Sequence, residues 1–326
     1  MQRRQIFKLS VAGALAGLPS WAAWAQSALP KGPATLVVPF AAGGATDIVS
    51  RLMAKKVTEL SGVPIVVENV GGAGGVVGAQ KVARAAKDGT VLLMGTVSTH
   101  AINPLARGFA TYHPLKDFTP ISLVATVPNV IVVNNTVAAQ NLKELMAYIK
   151  SQPGKLSYGT SGVGTPPHLS GELFKAMAGL EIEHIPYKGG GPAMADLLGG
   201  NIPVLFDVLT GAASHIKSGR VRAIAVTTPA RSPSFPEIPT VAEAGLAGYE
   251  TYTWNAIFGP AGMPTAVAAA WAREFQRAVA EPEIQEKLKE LSATPVGSTP
   301  DSLAAHVKAE LDKWGPMIKT LGLKLE

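Results

Sequence analysis

Short apolar runs alternate with segments of helical period along almost the whole chain, and this rhythm constrains the fold more than any other feature. Thr35-Leu36-Val37-Val38-Pro39-Phe40 is nearly all apolar, as in a strand buried on both faces. Small residues follow. Thr46 is then placed to cap a helix beginning at Asp47, with Ile48, Val49, Leu52, Met53 and Leu60 on one apolar face. Ile65-Val66-Val67-Glu68 predicts a second strand, residues 76–86 a helix, and Val91-Leu92-Leu93-Met94 a third strand. The β-α-β-α-β order predicts a parallel sheet covered by helices on both faces.

The pattern restarts after residue 120. Residues 121–133 read as extended, but Pro128 in their middle opposes a single central strand and favours a crossing between two bodies. Beyond it the periodicity predicts helices over 142–150, 169–178 and 193–198. Strands are predicted over 156–158, 182–185, 203–207 and 223–227. A Pro-rich stretch at 229–239 leads to a second extended crossing at 249–258, and helices over 265–280, 283–291 and 302–321 end the chain. No fixed-period repeat is visible. The expected architecture is two α/β lobes, residues 26–126 plus 253–326 and residues 127–252, joined near 124–130 and 248–258. Two lobes with two crossings enclose a cleft, and open α/β sheets bind ligands at the carboxyl ends of their strands.

Residues 1–25 read as an export signal. Arg3-Arg4-Gln5-Ile6-Phe7-Lys8 is a charged start, an apolar stretch runs over 9–18, and Ala23-Trp24-Ala25 offers small residues at a cleavage point. The apolar stretch is shorter than the roughly 20 residues a bilayer span needs. The arginine pair suits both an ordinary secretory signal and a twin-arginine signal. Either route places the mature chain outside the cytoplasm, in the periplasm. The chain has no cysteine, which excludes thiol catalysis, disulfides and thiolate metal sites. Its net charge of +6 falls to +3 once Arg3, Arg4 and Lys8 leave with the signal. Mild positivity suits an anionic small ligand, and without a basic patch carrying interleaved aromatics no nucleic-acid partner is expected.

Four strand–helix joints concentrate small and hydroxylic residues. Ala41-Ala42-Gly43-Gly44-Ala45-Thr46-Asp47 lets a ligand approach a helix start, where unpaired amides and the helix dipole favour carboxylate or phosphate. A tight turn with glycines serving only packing is the alternative. Val70-Gly71-Gly72-Ala73-Gly74-Gly75-Val76 fits neither a dinucleotide fingerprint nor a Walker loop, and reads as one wall of the cleft. Tyr158-Gly159-Thr160-Ser161-Gly162-Val163-Gly164-Thr165-Pro166-Pro167-His168 carries hydroxyls that can cradle an anion from the opposite side. Ser161 is not in a Gly-x-Ser-x-Gly elbow, because Val163 stands two residues after it. His168 is expected to cap or pack at the helix start. The fourth joint, Ile185-Pro186-Tyr187-Lys188-Gly189-Gly190-Gly191-Pro192-Ala193, carries Lys188, by default a solvated side chain. Asp207 ends a strand at the ligand-binding rim, where it could accept from an amine or hydroxyl, or cap a helix. The six histidines show no metal-ligand spacing, so neither a metal nor another cofactor is expected.

In this order the motifs resemble the extracytoplasmic receptors of the tripartite tricarboxylate transporter family, also called Bug receptors. The resemblance rests on residues 38–47, on Glu68-Asn69 with Gly71 to Gly75, on residues 158–165 with His168-Leu169, on residues 184–189 with Pro192-Ala193 and 196–200, and on residues 235–240 and 259–264. It implies a two-lobed periplasmic-binding-protein fold of type II, a Venus flytrap with two extended hinge crossings that closes on a small organic carboxylate. Phe40, Ala41, Ala42, Gly43, Gly44, Thr46 and Asp47 would form one jaw. Thr160, Ser161, Gly164 and Thr165 would form the other. Ser98 and Thr99 would also line the cleft, and Asp207 would face the distal end of the ligand. Ala42 stands where the family usually has proline, Val70-Gly71 where it has Arg-Pro, and Pro203 where it has an acid.

The leading expectation is therefore a monomeric periplasmic receptor, without catalysis, that delivers its ligand to inner-membrane transporter subunits. Two alternatives are an exported hydrolase using Ser161, His168 and Asp207, and a sensor subunit that signals to a membrane kinase.

Overall fold

A computed structural model describes residues 29–107 and 111–324. The expected export signal and its cleavage point lie outside the described residues. Among the described residues no helix is long and apolar enough to cross a membrane.

The first half begins as the periodicity predicts. Strands β1 (Ala34–Val38), β2 (Ile65–Asn69) and β3 (Val91–Thr96) are parallel, in the order β2-β1-β3. Helices α1 (Ala45–Ser61) and α2 (Val76–Ala83) connect them. Alternate residues serve opposite cores, as the two-residue period of a strand requires. Leu36, Val38, Leu92 and Met94 pack with Val49, Met53, Trp271 and Phe275 on one face. Val37 and Leu93 pack with Val76, Trp254, Phe258 and Trp314 on the other.

After β3 comes a turn of π-helix over Ser98–Ile102, then α3 (Asn103–Ala106). Strand β4 (Phe118–Asn134) is a single 17-residue strand, not the interrupted one that Pro128 suggested. It belongs to two sheets in succession. Residues up to Pro128 pair antiparallel with β9 (Tyr252–Pro260), which in turn pairs with β3. From Asn129 onward β4 pairs instead with β7 (Val204–Val208) and β8 (Val221–Val226). Pro128 thus sits at the changeover, where the strand leaves one partner set for the other and a missing N–H is tolerated.

The second sheet continues from β7 through the parallel strands β5 (Ser157–Thr160) and β6 (Glu183–Pro186). Helices α4 (Leu142–Lys150), α5 (Pro166–Ala178) and α6 (Gly190–Leu198) lie between its strands. A further helix, α7 (Leu209–Lys217), follows β7 where the sequence suggested none. Ile131, Val133, Val204 and Phe206 face one core, and Val130, Val132 and Leu205 face the other.

Helices α8 (Thr265–Ala280) and α9 (Pro282–Glu290), the short strand β10 (Thr294–Pro295) and α10 (Pro300–Thr320) return to the first sheet. Glu310 of α10 is buried and pins that helix to β9. It accepts from Trp254 Nε1 at 3.0 Å, Trp314 Nε1 at 3.0 Å and Tyr252 Oη at 3.1 Å. Glu310→Ala would strand two buried indole donors, each costing about 1–3 kcal/mol. We expect a loss of about 3 kcal/mol in urea unfolding. A loss below about 1 kcal/mol would show that α10 is held by packing alone.

Candidate functional site

The carboxyl ends of the parallel strands from both sheets converge on one place. The joint after β1 contributes Phe40 to Thr46. Gly43 has φ +80°, a conformation that favours glycine. Gly44 is the N-cap of α1, and no side chain caps the helix. Thr46 lies inside the first turn and does not cap it, because the helix begins at Ala45. The amides of that turn have no intrahelical acceptor and suit an anion.

Asp47 stabilises this joint from beneath. Its Oδ2 accepts from Gly43 N at 2.9 Å and Arg51 Nε at 3.0 Å, and its Oδ1 accepts from Asn69 Nδ2 at 2.9 Å. Asn69 also donates to Phe40 O at 3.0 Å and accepts from Arg51 at 3.0 Å. Burial alone would raise the Asp47 carboxyl, but these donors outweigh it and hold the group below its ordinary range.

The joint after β5 forms the facing wall. Thr165 caps α5, accepting from His168 N at 3.4 Å while its hydroxyl donates to Gly162 O at 2.7 Å. Thr160 Oγ1 lies 2.7 Å from His184 Nε2. His168 Nδ1 accepts from Gly164 N at 3.3 Å, and the His168 and His184 rings stack with centroids 4.3 Å apart. Burial lowers the two imidazoles to about 4 and about 3 respectively, so both are neutral at ordinary pH. They shape the loop and bring no charge.

Three contacts bridge the two walls. Ala41 N donates to Lys188 O at 3.0 Å. Ser98 Oγ lies 2.6 Å from Gly74 O and 2.7 Å from Gly164 O. Asn103 Nδ2 lies 2.9 Å from Gly164 O and 3.2 Å from Gly74 O. A Cβ on Gly74 would lie 2.1 Å from Val163 O, so only glycine permits this approach.

Between the walls is a cavity of about 30 Å³. Of the expected residues, Phe40, Gly44, Thr46, Ser161, Thr165 and Asp207 line it. Ala42 and Gly43 line an adjoining cavity of about 300 Å³, which shares Gly190 and Asp207 with the first and contains His215. Asp47, Ser98, Thr99, Thr160 and Gly164 stand behind these surfaces, engaged in the hydrogen bonds above; Thr99 Oγ1 accepts from Thr96 N at 2.9 Å. Ala41 acts through its backbone amide. Ala45, Thr96, Pro166, Pro167, Gly190, Val208 and Thr253 also line the first cavity, although the sequence did not single them out for this role. Thr96 and Val208 end strands, which is the signal that could have found them; Thr253 reaches the site only through the pairing of β9.

Neither Lys nor Arg lines the first cavity, and Lys188 is exposed. Its polar lining is otherwise made of hydroxyls and the backbone at the start of α1. Asp207 is the one ionisable side chain in its lining. Burial raises its carboxyl to about 7. It does not cap α7, whose N-cap is Val208; among the described residues its Oδ1 accepts only from Val208 N, at 2.8 Å. Ser161 and His168 share no hydrogen bond, so these residues form no nucleophile–base relay. Among the described residues no group of three or more His, Cys, Asp or Glu could hold a metal ion.

Comparison with known proteins bears on this site. The model of the tripartite tricarboxylate transporter family receptor matches residues 49–323. Protein BugT of Bordetella pertussis is 35% identical over 302 residues, covering 91% of each chain. The solved periplasmic binding protein BugD is 37% identical with a TM-score of 0.88, covering 91% of this chain and 100% of that one. A protein of R. palustris solved with adipate is 37% identical with a TM-score of 0.87, covering 90% and 99%. The fold is the two-lobed α/β fold of the periplasmic binding proteins.

The Asp47 network has a pH signature. Because the folded-state carboxyl titrates below its unfolded value, its contribution is complete above about pH 4 and is lost as the pH falls through the folded value. The melting temperature of the wild type should exceed that of Asp47→Asn at pH 7, with the gap closing as the pH falls below about 4. A gap independent of pH would remove the charge from the account of this joint.

Proposed function

The chain belongs to the tripartite tricarboxylate transporter receptor family, and on that premise we propose that it is a periplasmic receptor that binds a small organic carboxylate between its two walls and delivers it to membrane transporter subunits. The observation that carries this reading is the uncapped start of α1 facing Ser161 and Thr165 across the cavity. A carboxylate placed there would accept from first-turn amides on one side and from the Ser161 hydroxyl on the other, while Thr165, whose own proton goes to Gly162 O, holds that wall in place.

Binding on this account is coupled to closure. The cavity beside the α1 amides holds only about 30 Å³, so a carboxylate of several carbons would have to extend into the adjoining cavity of about 300 Å³ or enter as the walls separate. The lobes would be residues 26–126 plus 253–326 and residues 127–252. Their hinge would lie where β4 changes sheets and where residues 227 and 251 run side by side. Thr227 N donates there to Asn129 O at 3.0 Å, and Thr251 N donates to Thr227 O at 3.0 Å. The receptor would work as an exported monomer without catalytic turnover.

Titration with carboxylates of three to six carbons, read by native mass spectrometry and thermal shift, tests the reading. At least one acid should bind and raise the melting temperature, because it binds the folded state alone. Ser161→Ala with Thr165→Ala should then weaken that acid by at least about 1.5–3 kcal/mol, roughly 10-fold to 150-fold. Thr165→Ser keeps both the hydroxyl and the cap, and should retain most of the affinity. Unchanged binding in the double variant would exclude this wall from the site.

A further inference from the structure

We propose that the π-helical turn after β3 is a ligand-independent latch. Ser98 and Asn103 together hold Gly164 O of the opposite wall, so that ligand-free protein rests chiefly with its walls together and opening governs how fast a ligand enters. The inference goes beyond the receptor reading, needs no ligand identity, and gives Ser98 a role other than lining the cleft.

The turn makes the two-pronged arrangement possible. In an α-helix, side chains five residues apart point about 140° away from each other. Here Asn103 N donates to Ser98 O, the five-residue bond of a π-turn, and the two side chains come together. Asn103 Nδ2 lies 3.0 Å from Ser98 Oγ and 2.9 Å from Gly164 O, and Ser98 Oγ lies 2.7 Å from the same carbonyl. Both residues are fully buried. Partners on the same side fix the turn. Tyr112 Oη donates to Thr99 O at 2.7 Å, and His100 stacks on Phe258 with centroids 3.7 Å apart.

The receiving carbonyl is presented by a loop held from its own wall. Gly164 N donates to His168 Nδ1 at 3.3 Å, and Gly162 N donates to Thr160 Oγ1 at 3.2 Å. The contact runs directly from wall to wall, so it forms whether or not a ligand lies between them. It is also reversible. When the walls part, Ser98 keeps Gly74 O at 2.6 Å and Asn103 keeps Ser98 O at 3.1 Å, so opening strands neither donor. Glycine at position 74 lets the walls meet, because a Cβ there would lie 2.1 Å from Val163 O. A latch that favours closure equally in free and liganded protein slows entry and exit alike and changes affinity little while both forms stay mostly closed.

Pulsed distance measurement between spin labels tests the inference. The chain has no cysteine of its own, so Lys55→Cys on α1 and Ala176→Cys on α5, both exposed positions, take the labels. The protein is first unfolded and refolded to remove any co-purified ligand. Wild-type protein should then show chiefly the distance set by this structure. Ser98→Ala should raise the ratio of longer to shorter distances about 3-fold to 10-fold, the worth of one neutral hydrogen bond. Gly74→Ala removes no hydrogen-bonding group but wedges the walls apart, and should do the same; it decides the matter should Ser98→Ala not fold. Wild-type protein chiefly at a longer distance, or a distribution that neither variant moves, would overturn the inference. With an acid found by the titration above, Ser98→Ala should speed association and dissociation together, as followed by stopped flow. Faster dissociation alone would make Ser98 a ligand contact and overturn the latch. If no acid binds, the receptor reading falls and the distances still decide the latch.

Discussion

Strand β4 is the element on which the arrangement depends. One continuous strand pairs first with β9 and then with β7 and β8, so each sheet contributes to the placement of the other. The change of partners at Pro128 and Asn129 is reinforced by buried polar groups. Asn129 Nδ2 lies 3.1 Å from Ser170 Oγ, which lies 2.6 Å from Thr251 Oγ1, and Thr227 Oγ1 donates to Thr251 O at 2.7 Å. These hydrogen bonds form only if β4, α5 and the chain entering β9 keep this alignment, and the buried donors would be costly to leave unpaired. The ends of β1, β3, β5 and β7 then meet at one cavity.

On the proposed reading, the first cavity would bind an anion with no cationic side chain in its lining. Amides fixed by the backbone lose little freedom when a ligand arrives, whereas a lysine would have to be ordered. The arrangement requires a rigid loop, and the Asp47, Asn69 and Arg51 network supplies it from below. Ser98 and Asn103 have a different task. Both approach Gly74 O and Gly164 O, and neither lines the first cavity.

Much of this was legible in the sequence where the physics is local. The joint after β1 and the joint after β5 were recognisable because a strand end, small residues and a helix start are contiguous in the chain. The roles behind them were not. Asp47 finds Asn69 through the parallel register that sets Val38 beside Asn69, a non-local pairing no spacing rule displays. The family resemblance placed Ser98 on the cleft surface; the structure buries it between two loops 24 and 66 residues away in sequence. Helix α7 escaped notice because Gly211 and small residues weaken its periodicity, and its packing on the sheet overrides that weak propensity. Pro128 correctly signalled a crossing, but a strand can pass through proline where it exchanges partners.

The central claim is that a carboxylate sits between the first turn of α1 and the Ser161 hydroxyl, on the wall that Thr165 holds in place. A crystal structure with the most stabilising acid tests it most directly. The account predicts a carboxylate oxygen within hydrogen-bond distance of the α1 amides and of Ser161 Oγ, directly or through one water. Ligand density elsewhere, such as the apolar groove beside Phe118 and Phe258, with the α1 amides untouched, would contradict it.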